Sequence, residues 1–416
     1  METEIINIGN ELLIGQVVNT NASWMAEQMN LAGFWVERIT VVPDEREQIL
    51  TILREAQGRS SIVLVTGGLG PTKDDITKEV LCRFFNTRLV FQEEAFKDVE
   101  NIFKIRGIKI SDLNRKQAEL PENCTSIPNP NGTARGMWFT KTENSRKTDF
   151  IFMPGVPFEM KPMLNDQVIP QLLKQYVQKS IYHKTILTQG IGESFLSEII
   201  EKWENSLPGN ISLAYLPQPG LVRLRLTGRG DDDKSVKNQV DGEVKALIKI
   251  IPEYFYGLDN DKLEAIIGEL LLRKSATLAT AESCTGGYIA HLITSVPGSS
   301  GYYKGSIIAY ANDVKENELG VKHESLLKYG AVSEEVVKEM ANGIRKKFRV
   351  DYSIATSGIA GPDGGTSEKP VGTTWIAIAT PEKTVAYNYF FGEERERNIR
   401  KTALQALNLL RKELVI

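Results

Sequence analysis

The chain has 416 residues, 41% of them hydrophobic and 25% charged, a globular composition with length for two or three domains. Lys and Arg total 50 against 53 Asp and Glu, so the formal charge of −3 gives no global case for a polyanionic partner. Cys82, Cys124 and Cys284 are too few and scattered for a disulfide framework or a cysteine-rich zinc site, the start METEIINIGNELLIG is no secretion signal, and no stretch approaches the roughly 20 apolar residues that span a bilayer. A cytoplasmic protein with no membrane partner is expected.

From residue 1 to about 170, EIINIG, NASWMAEQMNLAG, SIVLVTGG and DDITKEVLCRFF alternate short β-branched runs with helical patterns. That is the rhythm of βαβ units on a parallel sheet, whose ligands gather at the carboxyl ends of the strands. The informative loops therefore follow EIINIG, IVLVTGG and DFIFMPG. In GGLGPTKDD, Gly67, Gly68 and Gly70 permit close backbone approach to a phosphate, and Asp74 with Asp75 at a helix start can hold a hard divalent cation against a pyrophosphate. The alternative is a flexible turn and an acidic helix start that satisfies the helix dipole. The segment is neither a GxGxxG nor a P-loop motif.

Between about 171 and 255, ESFLSEIIEKW reads as an amphipathic helix, LVRLRLTGRG as a strand and DDDKSVKNQVDGEVKALIKII as a second helix, together a small α+β domain. From about 256 to 416 the helix DKLEAIIGELLLRK, the strands ATLATAE, DYSIATSG and TTWIAIAT, and the final helix ERERNIRKTALQALNLLRKEL again suggest an α/β unit. No internal repeat links the first and third units beyond this class.

In TAESCTGG, Ser283 stands where a strand turns through glycines into a helix, a place where backbone N–H groups meet an anion or oxyanion. Ser283 or Thr285 merely capping the helix is the alternative. A serine needs a base, and His291 and His323, the histidines of this region, have no evident acidic orienter. A buried lysine loses its proton readily, which makes Lys315, after the turn Tyr310-Ala311-Asn312, a candidate; on a surface helix it would be only a solvated charge. Adjacent extended residues point to opposite sides, so Cys284 reads as a buried small residue rather than a second nucleophile.

Several separated motifs resemble the CinA family (competence/damage-inducible protein A). At the C-terminal end these are TAESCTGG, VPGSSGYYKGSIIAYANDVKENELGV, YGAVSEEVVKEMA and SGIAGPDGGTSEKPVGTTWIAIAT. The resemblance implies a nicotinamide mononucleotide amidohydrolase needing no cofactor, with Ser283 and Lys315 as catalytic pair and Tyr310 as hydrogen-bonding partner. The glycine turns Gly286-Gly287 and Gly358 to Gly361 would offer N–H groups to the oxyanion or the 5′-phosphate, Thr356 and Ser357 polar contacts, and Arg395 or Arg400 a phosphate contact.

The segments IGNELLIGQVVNTN, TGGLGPTKDD, NRKQAELP, NPNGTARG and FMPGVPFEMKPM resemble the domain this family shares with molybdopterin-binding proteins. They imply an ADP-ribose pyrophosphatase dependent on a divalent metal (Mg, Mn or Co). The residues carried over are Asn19, Thr66, Gly67, Gly68, Gly70, Asp74, Gly132, Gly155, Pro157 and Glu159 for substrate, with Glu11 and Asp75 as metal-shell or water-activating carboxylates. Family members commonly have proline in the turn Thr133-Ala134-Arg135-Gly136, so Arg135 is a departure, either a phosphate contact or an exposed charge.

The middle unit resembles the family's KH-like domain. Its GIGE and GNIS segments, around Gly190 and Gly209, lack the basic GxxG clamp of a nucleic-acid binder, and Arg223, Arg225 and Arg229 make only a mildly basic strand face. A spacer or dimer contact is preferred, so the expected partners are small nucleotides and a second copy of the chain. The expectation is a bifunctional enzyme of pyridine-nucleotide salvage; the alternative is an active C-terminal amidohydrolase with an N-terminal nucleotide- or molybdopterin-binding module.

Overall fold

The computed structural model describes residues 2–72, 75–107, 109–177 and 180–415. It divides into two compact units, Met1–Tyr182 with Arg229–Val236, and His183–Gly228 with Lys237–Ile416. No helix among the described residues is long and apolar enough to cross a membrane.

The strands of the first unit are β1 (Thr3–Ile8), β2 (Val36–Val42), β3 (Ile62–Thr66), β4 (Leu89–Phe91), β5 (Glu119–Pro121), β6 (Thr125–Ile127), β7 (Gly136–Glu143) and β8 (Arg146–Met153). Six form one sheet in the order β2-β1-β3-β8-β7-β6, and β4 pairs with β5 separately. The core β2-β1-β3-β8 is parallel, and β1 and β3 are buried along their whole length, as strands covered on both faces must be. Alternation divides β3 between two cores: Val63 and Val65 pack with Leu50, Leu53 and Phe152, whereas Ile62 and Leu64 pack with Met25, Met29 and Met163. The βαβ rhythm does not foresee the antiparallel edge. There β7 and β8 meet through Asn144 and Ser145, both at positive φ (48° and 65°), the twist that a two-residue hairpin turn requires.

The second unit carries two sheets. The smaller joins β9 (Ser180–Gln189), β10 (Ile211–Gln218), β11 (Leu221–Gly230) and β12 (Phe255–Leu258) in the order β10-β11-β9-β12, with helices Glu193–Glu204 and Asp233–Ile250. The larger contains β13 (Leu278–Glu282), β14 (Tyr303–Ile308), β15 (Tyr352–Gly358), β16 (Thr373–Ala379) and β17 (Thr384–Phe390) in the order β14-β13-β15-β16-β17. Its first three strands are parallel and the last two antiparallel. The middle and C-terminal segments share a core: Leu187, Leu221 and Tyr256 pack in one cluster with Ile267, Leu271, Leu404 and Leu407. A Cβ on Gly190 of GIGE would meet Asn408 Nδ2 at 3.5 Å, so this turn lies against the final helix Arg395–Val415. Arg229 at the end of β11 falls in the first unit, where its guanidinium lies over Trp35, 3.9 Å from the ring centre.

In both large sheets the first strand lies between the second and third, as β2-β1-β3 and as β14-β13-β15. The connections that leave the first and the third strand thus depart to opposite sides, and the crevice beyond the carboxyl ends at that reversal is where open α/β sheets hold ligands.

Candidate active sites

At this crevice in the first unit lies a cavity of about 450 Å³. Its walls come from the loops after β1, β3 and β8, the three expected from sequence, with Glu11, Asn19, Thr66, Gly67, Gly68, Gly70, Asp75, Gly155, Pro157 and Glu159 among the lining residues. Asp74 lies outside the described residues. Gly132 does not line the cavity; a Cβ there would fall 2.1 Å from the Glu159 carboxylate, so it forms the seat of that side chain.

Several of these side chains hold the frame. Asn19 Oδ1 accepts from Ala22 N at 3.1 Å, capping helix Thr20–Leu31, and its Nδ2 donates to Asn7 Oδ1 at 3.2 Å. Asn7 Nδ2 donates in turn to Thr66 Oγ1 at 2.8 Å, which makes Asn7 a floor residue that the sequence reading missed. Gly67 has φ 110°, and a Cβ would fall 2.1 Å from Ile8 O, so only glycine lets β3 turn against the end of β1. Glu159 accepts from Asn129 Nδ2 at 2.7 Å and fastens the NPNG loop. Asp75 Oδ2 accepts from the amide of Thr72 at 2.9 Å and from its hydroxyl. Asp44, which also lines the cavity, receives the amide of Asn10 at 3.0 Å and had no signal in the sequence beyond its acidity.

Four carboxylates, those of Glu11, Asp44, Asp75 and Glu159, therefore line one cavity, with no Lys, Arg or His among its described lining residues. Among the described residues no three His, Cys, Asp or Glu side chains come close enough to form a metal cage. This donor set fits a hard cation held in the manner of Mg²⁺, by one or two carboxylates with water and substrate phosphate completing the shell.

Arg135 is neither exposed nor turned to a phosphate. It is buried beside Asp98, with 2.7 Å from Nε and 2.6 Å from Nη2 to Oδ2, and donates to Ser126 Oγ at 3.1 Å and Glu94 O at 3.4 Å. It ties the turn to helix Glu93–Arg106 while its neighbours Thr133 and Ala134 face the cavity.

At the corresponding place in the second unit is a cavity of about 200 Å³, lined by Ser283, Tyr310, Lys315, Ser357, Gly358 and Arg395, and also by Cys284, Asn312, Ala331, Val332 and Ala360. Ser283 directly follows β13, with its amide donating to Thr356 O at 3.0 Å. Lys315, on helix Asn312–Leu319, is not a solvated charge: it is 1% exposed, and Nζ donates to Ala309 O at 2.8 Å and Tyr310 O at 3.2 Å. Burial lowers its pKa from the usual lysine value. Once deprotonated, an amine with two hydrogens on carbonyls would have its lone pair free for a third direction, the state a base requires.

Tyr310 contributes its carbonyl to Lys315, whereas its hydroxyl accepts from Arg395 Nη2 at 3.0 Å. Arg395 Nη1 holds Gly361 O at 2.7 Å. Ser357 Oγ donates to Ala331 O at 2.7 Å, and Thr356 Oγ1 lies 2.9 Å from Thr285 Oγ1. Cys284 is buried, and desolvation pushes its thiol up to about 12, which suits a packing residue. Arg400, Gly361 and Thr356 are not among the lining residues. His291 lies outside the cavity as well, and exposed His323 pairs with Glu316 at 3.1 Å.

Gly286 and Gly287 act differently from expectation. At φ 59° and 97° they make the turn, but the Gly286 amide donates to Ser283 O at 3.1 Å and the Gly287 amide to Glu282 Oε2 at 3.0 Å, so neither points to a ligand. The acceptor that takes the second amide, Glu282, escaped the sequence reading; its one signal was a carboxylate at the end of an otherwise apolar strand.

Three family descriptions match the chain: "Probable molybdopterin binding domain" over residues 4–174, "Damage-inducible protein CinA KH domain" over 183–257 and "CinA C-terminal domain" over 260–414. A CinA-like protein of Cytophaga hutchinsonii is 48% identical over 411 residues, covering 99% of this chain and 97% of that protein. A CinA-like protein of Flavobacterium psychrophilum is 45% identical over 420 residues, covering 100% and 99%. Among solved structures, the competence/damage inducible protein CihA from Agrobacterium tumefaciens is 35% identical over 37% of this chain and 94% of its own, with a TM-score of 0.36. With relatives matched end to end and all three of its segments covered, the chain belongs to the CinA family.

Proposed function

We propose that the C-terminal site hydrolyses the carboxamide of nicotinamide mononucleotide to nicotinic acid mononucleotide and ammonia. The observation that carries this reading is a buried lysine whose amine is held by two carbonyls in the same small cavity as a serine at a strand end. Ser283 Oγ attacks the carboxamide carbon as its proton passes to neutral Lys315 Nζ. The tetrahedral intermediate expels ammonia, which takes that proton, and leaves an acyl-enzyme. Water then adds to the ester carbon, again deprotonated by Lys315, and Ser283 leaves with the proton. Arg395 is the exposed cation of the lining and suits the 5′-phosphate, while the cavity of about 200 Å³ suits the ring and carboxamide.

For the N-terminal site we propose cleavage of ADP-ribose to AMP and ribose 5-phosphate. A lining of four carboxylates repels a pyrophosphate, so substrate requires a cation between them. Glu11 and Asp75 would hold it, and a divalent ion there supplies neutralisation of the phosphate charge and Lewis acidity. Asn7, Asn19 and Thr66 keep the floor rigid, and Gly67 lets the loop after β3 close against Ile8.

The testing experiment follows ammonia release from nicotinamide mononucleotide by the full chain without added metal, beside Ser283→Ala. Turnover that Ser283→Ala abolishes is the expected result; a folded native protein without turnover refutes the amidohydrolase reading. The nucleic-acid alternative has little to support it, since the GIGE turn lies against Gln405 and Asn408 instead of standing free.

A further inference from the structure

Glu282, the last residue of β13 and the one before Ser283, is fully buried. Its Oε2 accepts from the amides of Gly287 and Ile289, each at 3.0 Å, and from Thr285 Oγ1 at 2.7 Å. Its Oε1 accepts from the amide of Ala290 at 2.8 Å, with the hydroxyls of Thr280 at 3.4 Å and Ser306 at 3.5 Å more distant. A buried carboxylate is costly unless donors surround it, and these are all neutral donors from its own sheet, the turn and the helix that follows. The result is a closed loop: the chain leaves Glu282, passes through Ser283 to Gly287, and returns its amides to the same carboxylate.

The serine is gripped from both sides of this loop. Its amide donates to Thr356 O at 3.0 Å and its carbonyl accepts from Gly286 N at 3.1 Å, while the Thr285 hydroxyl bridges Glu282 and Thr356 Oγ1. We propose that Glu282 is a positioning residue that holds Ser283 in register with Lys315. The role as written rests on the amidohydrolase reading. A carboxylate is required because both its oxygens accept. Glutamine has the same shape but would set an N–H₂ against amide donors on one side or the other and leave at least one orphaned.

The test compares native protein, Glu282→Gln and Thr285→Val in three measurements: ammonia release from nicotinamide mononucleotide, the pH–rate profile, and the rate at which a small fluorophosphonate modifies Ser283. In that modification the Oγ–P bond forms, P–F breaks, fluoride leaves and the serine proton passes to Lys315. In folded Glu282→Gln, kcat and the modification rate should fall together by about 100-fold, the scale of a displacement near 1 Å, with KM little changed and the acid limb at its native pH. Thr285→Val should lose about tenfold in both rates, as expected for one hydrogen bond to a charged group. A merely structural role would lower the melting temperature and leave the modification rate of folded protein at the native value. Native kcat and modification rate in folded Glu282→Gln would overturn the proposal; if that variant does not fold, native rates in Thr285→Val overturn it. Should native protein release no ammonia while Ser283 is modified rapidly and slowly in Glu282→Gln, the positioning role stands and the substrate reading falls. Native protein inert to the reagent as well would remove both.

Discussion

The two cavities occupy the same topological position and have opposite electrostatics. Each opens beyond the carboxyl ends of a first and third strand, β1 and β3 in one unit, β13 and β15 in the other. The first is wide, lined by four carboxylates and no described basic side chain; the second is less than half its volume, lined by Lys315 and Arg395 and by no acid. A parallel sheet therefore specifies where a ligand goes but not what it is; the chemistry comes from loop residues that the sheet leaves free to vary. On the proposed reading, the acid-lined cavity would need a cation before it accepts a phosphate, whereas the other would supply its own positive charge and its own base.

The sharpest test of that contrast separates the activities. Ser283→Ala should lower ammonia release by at least about a thousandfold and leave ADP-ribose cleavage intact, because the nucleophile belongs to one cavity alone. A chelator should do the reverse, abolishing AMP formation while ammonia release continues. If both activities respond to the chelator, the assignment of metal dependence to the acidic cavity fails.

Lys315→Met should cost about 10²- to 10⁴-fold in kcat, the range of a general base. In native protein, activity should fall as pH drops through the folded pKa of Lys315, which lies below the usual 10.5. The same depression means that between the folded and unfolded values the unfolded state binds more protons, so stability rises with pH across that window. Thermal melting against pH should show this rise in native protein and lack that component in Lys315→Met. An acid limb surviving in Lys315→Met would exclude the lysine as the base.

Arg395→Gln should raise KM for nicotinamide mononucleotide about tenfold, with less effect on nicotinamide riboside, as a lost charge-assisted hydrogen bond predicts. Equal losses on both substrates would mean that Arg395 acts by holding Tyr310 and Gly361 rather than phosphate. Arg135→Met should be a change of stability alone, about 1–3 kcal/mol, below the range for a fully buried pair because Asp98 is partly exposed. KM for ADP-ribose should stay at its native value; a raised KM with unchanged melting would return Arg135 to the substrate.

Much of this arrangement is legible in local pattern. Runs such as IVLVT and LATAE are largely apolar because strands covered on both faces hold few polar residues, here Thr66, Thr280 and Glu282. The antiparallel edge at Asn144-Ser145 was not, because two residues at positive φ outside glycine carry a weak signal. Arg135 was misjudged because a charged side chain in polar sequence normally meets solvent, and only the packing of another element decides otherwise; Lys315 was named as a candidate, but its burial too depended on such packing. Helix Glu93–Arg106 brings Asp98 to Arg135, and helix Glu334–Phe348 packs against the helix that carries Lys315.

By itself, then, the sequence determined most of the segments that become strands and helices, the three-part division, and the motifs that carry Ser283, Lys315, Glu11 and Asp75, because propensity, period and capping act over a few residues. Only the tertiary structure decided that Lys315 is buried with its amine on two carbonyls, that Arg135 is a brace, and that Glu282 rather than a ligand takes the amides after Ser283. Burial depends on elements tens of positions away in the chain, as the Arg135–Asp98 pair does, even where the hydrogen-bond partners themselves are near in sequence, as for Lys315 and Glu282; the cost of an unpaired buried charge is what selects among the arrangements.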